Sequence, residues 1–228
     1  MLNYKVPWEQ KVAKTTEKKI LELCGINPNN DNSKLRLLDF GCGNGRYLEV
    51  FRKYLNEQNL YGTEVLIDRV CEVRKKGFDC VHLSSNGNKL PFEDEFFDIV
   101  FSSNVIEHIP KKYYLGYLKE IRRILKKRGR FVIGTPNYPA KRFYDMLKAF
   151  KTGMFKYYLF DDPTHCNKLS IGKLENDLKI NFDEVYLEPS YILLENQIKI
   201  IKNFRNELRC FGDKISGYCL KYWGRKYA

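Results

Sequence analysis

Leu37-Leu38-Asp39-Phe40-Gly41-Cys42-Gly43-Asn44-Gly45-Arg46-Tyr47 is an apolar run ending in three alternate glycines, the pattern of a strand that turns sharply into a helix against a bound ligand. Gly41 and Gly43 can take backbone angles closed to other residues and leave no side chain between the main chain and a guest, while Gly45 lets the next helix pack close. A nucleoside suits such a turn, although G-x-G-x-G also occurs in dinucleotide-binding folds and as plain turn glycines. The flanks narrow the reading. Leu35 to Phe40 reads as a buried strand bounded upstream by the Asn27 to Ser33 turn cluster, and Tyr47 to Asn56 as an amphipathic helix. A second strand, Asn59 to Val65, carries Glu64, 19 residues beyond Gly45, where βαβ units of this kind set an acid on ribose hydroxyls.

Further along, Leu90-Pro91-Phe92-Glu93-Asp94-Glu95-Phe96-Phe97-Asp98-Ile99-Val100-Phe101 is an acidic turn leading into a strand, followed by Ser102-Ser103-Asn104-Val105-Ile106-Glu107-His108-Ile109. Together "LLDFGCGNG", the acid of "YGTEV", "LPFEDEFFDIV" and "VIEHI" resemble the class I S-adenosylmethionine-dependent methyltransferases (methyltransferase type 11 like) over roughly residues 35 to 189. The resemblance implies an α/β, Rossmann-like, doubly wound and mostly parallel sheet with an antiparallel last strand. It implies S-adenosyl-L-methionine as cofactor, with Asp39 and the backbone of Gly41, Cys42, Gly43 and Gly45 at its methionine part, Glu64 on the ribose and Val65 beside the adenine. Relatives often carry an Asp for the adenine amino group four residues before the "LPF" leucine; this chain has Asn86 there, then Gly87, and an amide oxygen still accepts that bond. Ser103 is expected beside the methionine moiety.

The 228 residues, 43% of them hydrophobic, are enough for one full core, so a single domain over 1–228 is expected, with a helical cap at 1–34 and an aromatic and basic flap at 136–168 after the fifth strand. Expected helices cover Trp8 to Cys24, Leu66 to Lys76, Lys111 to Lys127, Ser170 to Leu178 and Leu193 to Leu208. Expected strands cover Phe78 to Leu83, Arg130 to Gly134, Phe182 to Glu188 and Gly217 to Trp223. No run of about 18 apolar residues is present and the start lacks the apolar core of a signal peptide, so a cytoplasmic protein without a transmembrane segment is expected. The seven cysteines form no C-x-x-C pair, which points to buried free thiols rather than zinc or disulfides.

The net charge of +12 raises nucleic acid as a partner. Its densest cluster, Arg122, Arg123, Lys126, Lys127, Arg128 and Arg130, falls at the N-terminal edge of a parallel sheet, whereas ligands bind at the C-terminal edge, so it reads as a solvated face. Residues 138 to 160 are better placed: Tyr138, Phe143, Tyr144, Phe150, Phe155, Tyr157, Tyr158 and Phe160 alternate with lysines and an arginine. They suit a lid helix that packs on the domain, a flap for a lipid-linked or aromatic substrate with peripheral membrane contact, or a stacking surface for RNA.

Methyl transfer needs an aligned acceptor and, for a hydroxyl or ammonium, a group to take its proton; histidine titrates in that range. His82 lies on the third strand and reads as structural. His108 and His165 fall in turns that the resemblance sets against the acceptor pocket, with His165 the first candidate for base or acceptor contact. The leading expectation is a methyltransferase without a metal, acting on a small-molecule or lipid- or sugar-linked acceptor. A second is a metal-dependent small-RNA 2′-O-methyltransferase, whose E-x-x-E-H turn this chain resembles at Glu107 and His108, with Asn104 in place of the first glutamate. A third is a partner protein that binds the cofactor without turnover. Acceptor atom and oligomeric state are not written in the sequence.

Overall fold

The computed structural model describes residues 14–84, 89–138, 162–190 and 219–225, with residues 12, 141, 142, 145, 146, 149, 150, 153 and 155. Leu37–Phe40 forms β1, whose four residues are all buried, as a central strand covered on both faces must be. It is flanked in parallel by β2 (Leu60–Glu64) and β4 (Phe97–Ser103), and the sheet continues to β3 (Asp79–His82) on one side and β5 (Leu125–Pro136) on the other. The order is β3-β2-β1-β4-β5-β7-β6, in which β7 (Cys219–Arg225) runs antiparallel to both β5 and β6 (Glu184–Ser190). This is the doubly wound sheet with an antiparallel last strand that the sequence predicts.

Because successive strand residues face opposite ways, the sheet divides its apolar side chains between two cores. Leu37, Ile99, Phe101 and Val132 face α1 (Lys14–Cys24), α2 (Arg46–Phe51) and α3 (Ile67–Lys75) through Ile20, Leu48, Phe51 and Val70. Leu38, Phe40, Val100, Phe131 and Ile133 face α4 (Lys111–Ile124) and α5 (Ile171–Lys179) through Leu118, Ile121, Leu174 and Leu178.

Two helix ends differ from expectation by several residues. The helix after the glycine turn stops at Phe51 instead of Asn56, because the Asn56 side chain accepts from Gln58 N and starts a short 3-10 turn, Glu57–Asn59. The helix expected to reach Lys127 stops at Ile124, and Leu125, fully buried, pairs with Phe97 as the start of β5. Lys126 Nζ lies 2.7 Å from Asp98 Oδ2, which anchors the changed direction.

The basic cluster is correspondingly not a uniform solvated face. The Arg123 guanidinium donates to the carbonyls of Leu90 (2.9 Å) and Phe92 (2.8 Å) and pairs with Asp94 and Glu120, pinning the acidic turn to α4. Arg130 donates to Leu23 O at 3.2 Å and so ties β5 to α1. Only Lys127 and Arg128 of the six are exposed. Cys24, Cys42 and Cys80 are buried free thiols as expected, whereas Cys71 and Cys166 are exposed. Among the described residues no helix is long and apolar enough to cross a membrane. Asn86, Gly87 and the expected helix Leu193 to Leu208 lie outside the described residues.

Candidate active site

At the C-terminal edge of β1 the chain passes through Gly41, Gly43 and Gly45 with φ of 75°, 56° and 80°. A Cβ on Gly41 would sit 2.4 Å from Val105 Cγ2, so a side chain there is excluded by contact as well as by backbone angle. The turn is clasped by the end of β2: Gly41 N donates to Thr63 Oγ1 (3.3 Å), Cys42 N to Thr63 O (2.9 Å) and Gly43 N to Glu64 Oε2 (3.0 Å). Glu64 Oε1 accepts from Val65 N (2.7 Å) and Leu66 N (3.0 Å). A carboxylate accepts about four hydrogen bonds, so Glu64 organises both turns and retains capacity for a ribose hydroxyl. Val65, Leu66 and Ile67 are 47%, 52% and 52% exposed beside it, an apolar ledge suited to a flat base.

Asp39 is 1% exposed and its Oδ2 has no hydrogen-bond partner. Burial pushes its carboxyl up to about 8, against the pull of the Arg46 guanidinium and with the Glu64 carboxylate adding to the rise. A buried orphan oxygen at the mouth of a glycine turn is the place for a ligand cation such as an α-ammonium. S-adenosylmethionine offers an ammonium, a ribose diol and an adenine, so Asp39, Glu64 and the Val65 to Ile67 ledge fit it group for group. Ser103 Oγ donates to Tyr47 Oη at 3.4 Å, and Tyr47 packs edge-on against Phe101 with centroids 4.9 Å apart. The Cys42 side chain, in contrast, turns into the sheet, with Sγ 3.7 Å from Cys80 Sγ. That contact and burial push its thiol well up, and the side chain points away from the open edge of the turn, which Cys42 lines with its backbone.

The second half of the site is built from β4, β5 and the 162–169 segment. Beyond Ser103 the chain turns at Asn104 (φ 56°), whose N–H reaches Gly134 O at 2.7 Å, and enters the 3-10 turn Ile106–His108. Glu107 is 1% exposed; Thr135 Oγ1 donates to its Oε2 at 3.0 Å and its Oε1 has no partner. Burial pushes the Glu107 carboxyl up to about 7.

His165 is carried to this turn by three contacts: Asn167 N to Glu107 O (2.9 Å), Asn167 Nδ2 to Ile106 O (3.3 Å) and Cys166 Sγ to His108 O (3.2 Å). The His108 and His165 rings meet edge-on with centroids 4.7 Å apart. Each is gripped by a hydroxyl at Nδ1, His165 by Tyr138 (2.6 Å) and His108 by Thr164 (3.0 Å). The two histidines that the sequence offers separately therefore form one cluster around Glu107. His82 stands apart, with Nε2 3.0 Å from Val65 O.

Sequence reading passed over Tyr47, Thr63 and the grip of Tyr138 on His165. Thr63 adjoins Glu64 and was within reach of a motif argument, whereas nothing local marks Tyr138. In the flap, Lys141, Asp145 and Ala149 are buried at helical spacing, and Phe150 and Phe155 are 68% and 41% exposed, edge to face at 5.2 Å. Two clefts, of about 370 Å³ at Asp94 and Arg123 and about 450 Å³ at Glu57 and Gly77, lie at the opposite, N-terminal edge of the sheet. A parallel sheet offers ligands its C-terminal edge, so the glycine turn and not these clefts marks the site.

Residues 38–133 match the family model described as a methyltransferase domain. The chain is 30% identical over 169 residues to an uncharacterised protein of Methanocaldococcus jannaschii, covering 73% of this chain and 65% of that one. It is 33% identical over 99 residues to a human protein named probable tRNA methyltransferase 9B, covering 42% of this chain and 20% of that one. The chain thus spans less than two thirds of either relative. A solved SAM-dependent methyltransferase of Archaeoglobus fulgidus shares the fold with a TM-score of 0.66 at 18% identity, over 93% of each chain.

Proposed function

We propose that this chain is a class I S-adenosylmethionine-dependent methyltransferase that transfers a methyl group from that cofactor to a small-molecule or lipid- or sugar-linked acceptor in the cytoplasm. The observation that carries this reading is the buried Asp39 carboxyl, whose Oδ2 has no hydrogen-bond partner, beside the glycine turn and Glu64. Bound there, the cofactor supplies a sulfonium-activated methyl group. Asp39 holds the cofactor's ammonium, Glu64 its ribose, and Val65 to Ile67 its base; Ser103 and Tyr47 close the methionine side.

His165, steadied by Tyr138 and with His108 beside it, handles the acceptor's proton. Residues 136–168 act as a flap that shelters the acceptor, and the exposed Phe150 and Phe155 give it an apolar surface. Free thiols at Cys24, Cys42, Cys71, Cys80 and Cys166 suit a reducing compartment. The name of the human relative favours RNA as the second acceptor class.

Isothermal calorimetry with S-adenosylmethionine tests the cofactor half: one equivalent is expected to bind, with affinity falling roughly tenfold or more in Glu64→Ala. Absence of binding to the unaltered chain would sink the proposal. Transfer of a labelled methyl from the cofactor into fractionated cell extract tests the acceptor half. Label in organic-soluble or small-molecule fractions is expected; label in nuclease-sensitive material, falling steeply with salt, moves the assignment to RNA.

A further inference from the structure

We propose that the flap carries an apolar wedge, formed by Met146, Phe150 and Phe155, that docks on the surface of an anionic phospholipid bilayer. Residues 141, 142, 145, 146, 149 and 150 are helical. Lys141, Asp145 and Ala149, four residues apart, share one face of that helix and are buried, so this face packs on the domain. Met146 and Phe150 repeat the spacing further round the helix and are exposed. A helix on a water-facing surface ordinarily turns its polar residues outward. Here the outward face is apolar and the ion pair lies inside, with Lys141 Nζ 2.5 Å from Asp145 Oδ2. The chain then passes Gly153 at a φ of 69°, where a side chain would meet nothing within 4 Å, and the exposed Phe155 lies edge-on to Phe150 with ring centroids 5.2 Å apart. An apolar cluster held out in water in this way marks a docking surface.

Charge selects the partner. Residues 141 to 156 hold Lys141, Arg142, Lys148, Lys151 and Lys156 against Asp145 as the one acid, a net charge of +4. Anionic headgroups complement that charge, and aromatic rings flanked by basic residues enter the boundary between headgroups and acyl chains. RNA would share the attraction to charge, but it stacks its bases on open ring faces. The Phe150 and Phe155 rings stand at 90°, the edge of one closing on the other, which makes a compact wedge instead of a stacking platform.

The flap starts where β5 ends at Pro136, on the edge of the sheet that carries the glycine turn, and its Tyr138 holds His165. Docking by the wedge sets this same edge toward the bilayer, where a lipid-linked acceptor resides. The inference names a partner surface for the proposed methyltransferase and, in the role it gives the acceptor, rests on that reading.

The test is co-sedimentation of the full chain with vesicles of phosphatidylcholine alone and with vesicles containing about 30% phosphatidylglycerol. The anionic vesicles are expected to bind at least roughly tenfold more tightly, and binding is expected to weaken as salt is raised. The double variant Phe150→Ser with Phe155→Ser keeps the charge, and it is expected to lose roughly tenfold or more of the affinity for anionic vesicles. Both side chains are exposed, so the variant is expected to keep the melting temperature of the parent, which separates loss of the wedge from loss of the fold. No sedimentation with anionic vesicles up to about 1 mM accessible lipid, equal affinity for neutral and anionic vesicles, or equal affinity of parent and variant overturns the inference. So does binding of a short single-stranded RNA that the double variant loses while vesicles fail to bind, a result that reassigns the wedge to nucleic acid. Calorimetry with S-adenosylmethionine is run on the same preparation. Vesicle binding without cofactor binding leaves the wedge standing and removes the methyltransferase reading; cofactor binding without vesicle binding does the reverse.

Discussion

Gly41 and Asp39 carry the most consequential single-residue constraints. Gly41→Ala forces a Cβ to 2.4 Å from Val105 at a φ of 75°, so stability is expected to fall by about 1–3 kcal/mol in urea denaturation. Cofactor affinity should fall as well, because the displaced Val105 belongs to the loop that closes the site. Asp39 behaves differently. Its carboxyl is protonated in the free protein near neutral pH, and the cofactor's ammonium favours the ionised form, so binding is expected to release a proton. Calorimetry at pH 7 in buffers of different ionisation enthalpy should give apparent binding enthalpies that vary with the buffer, and Asp39→Asn should remove the variation.

Among the elements, α4 illustrates how a basic patch can be structural. Arg123 reaches from α4 to two backbone carbonyls and two carboxylates of its surroundings, and so holds the turn at 90–94 that feeds β4. Arg123→Ala is expected to cost about 2–4 kcal/mol in chemical denaturation, because the Leu90 and Phe92 carbonyls lose their donor. Cofactor affinity per folded molecule should stay the same, since this edge of the sheet is opposite the glycine turn. The early end of α4 belongs to the same scale. Helical periodicity ran on past Ile124 in the sequence, but burial of Leu125 against Phe97 and the Lys126–Asp98 pair were stronger than local propensity.

For the whole molecule, the buried Asp39 makes stability depend on pH. The unfolded carboxyl titrates near 4, whereas burial lifts the folded one to about 8, so between these values the folded state holds a proton that the unfolded chain has lost. The stability owed to this group is therefore fully present below about pH 4 and is lost as pH rises through about 8, with a slope of up to about 1.4 kcal/mol per pH unit. Urea midpoints across pH 5 to 8 should show this decline, to which the Glu107 carboxyl, lifted to about 7, adds in the lower part of the range, and Asp39→Asn should reduce the slope and leave the Glu107 share. A slope unchanged by the substitution would assign the decline to other groups. Adding the cofactor should oppose the loss, since a bound ammonium stabilises the ionised form.

The glycine turn, Glu64 and the succession of strands and helices along the chain were legible in the amino-acid order, because a strand, its turn and its helix lie within a short stretch and announce themselves by periodicity and by glycine. The meeting of His108 with Thr164 and His165, segments 56 residues apart in the case of Thr164, depended on the 162–169 segment docking on the 106–108 turn. So did the solitary state of Asp39 Oδ2 and Glu107 Oε1 and the inward face of the Cys42 thiol. Burial and hydrogen-bond satisfaction are properties of packed neighbours rather than of residue type, and only the tertiary structure decides them.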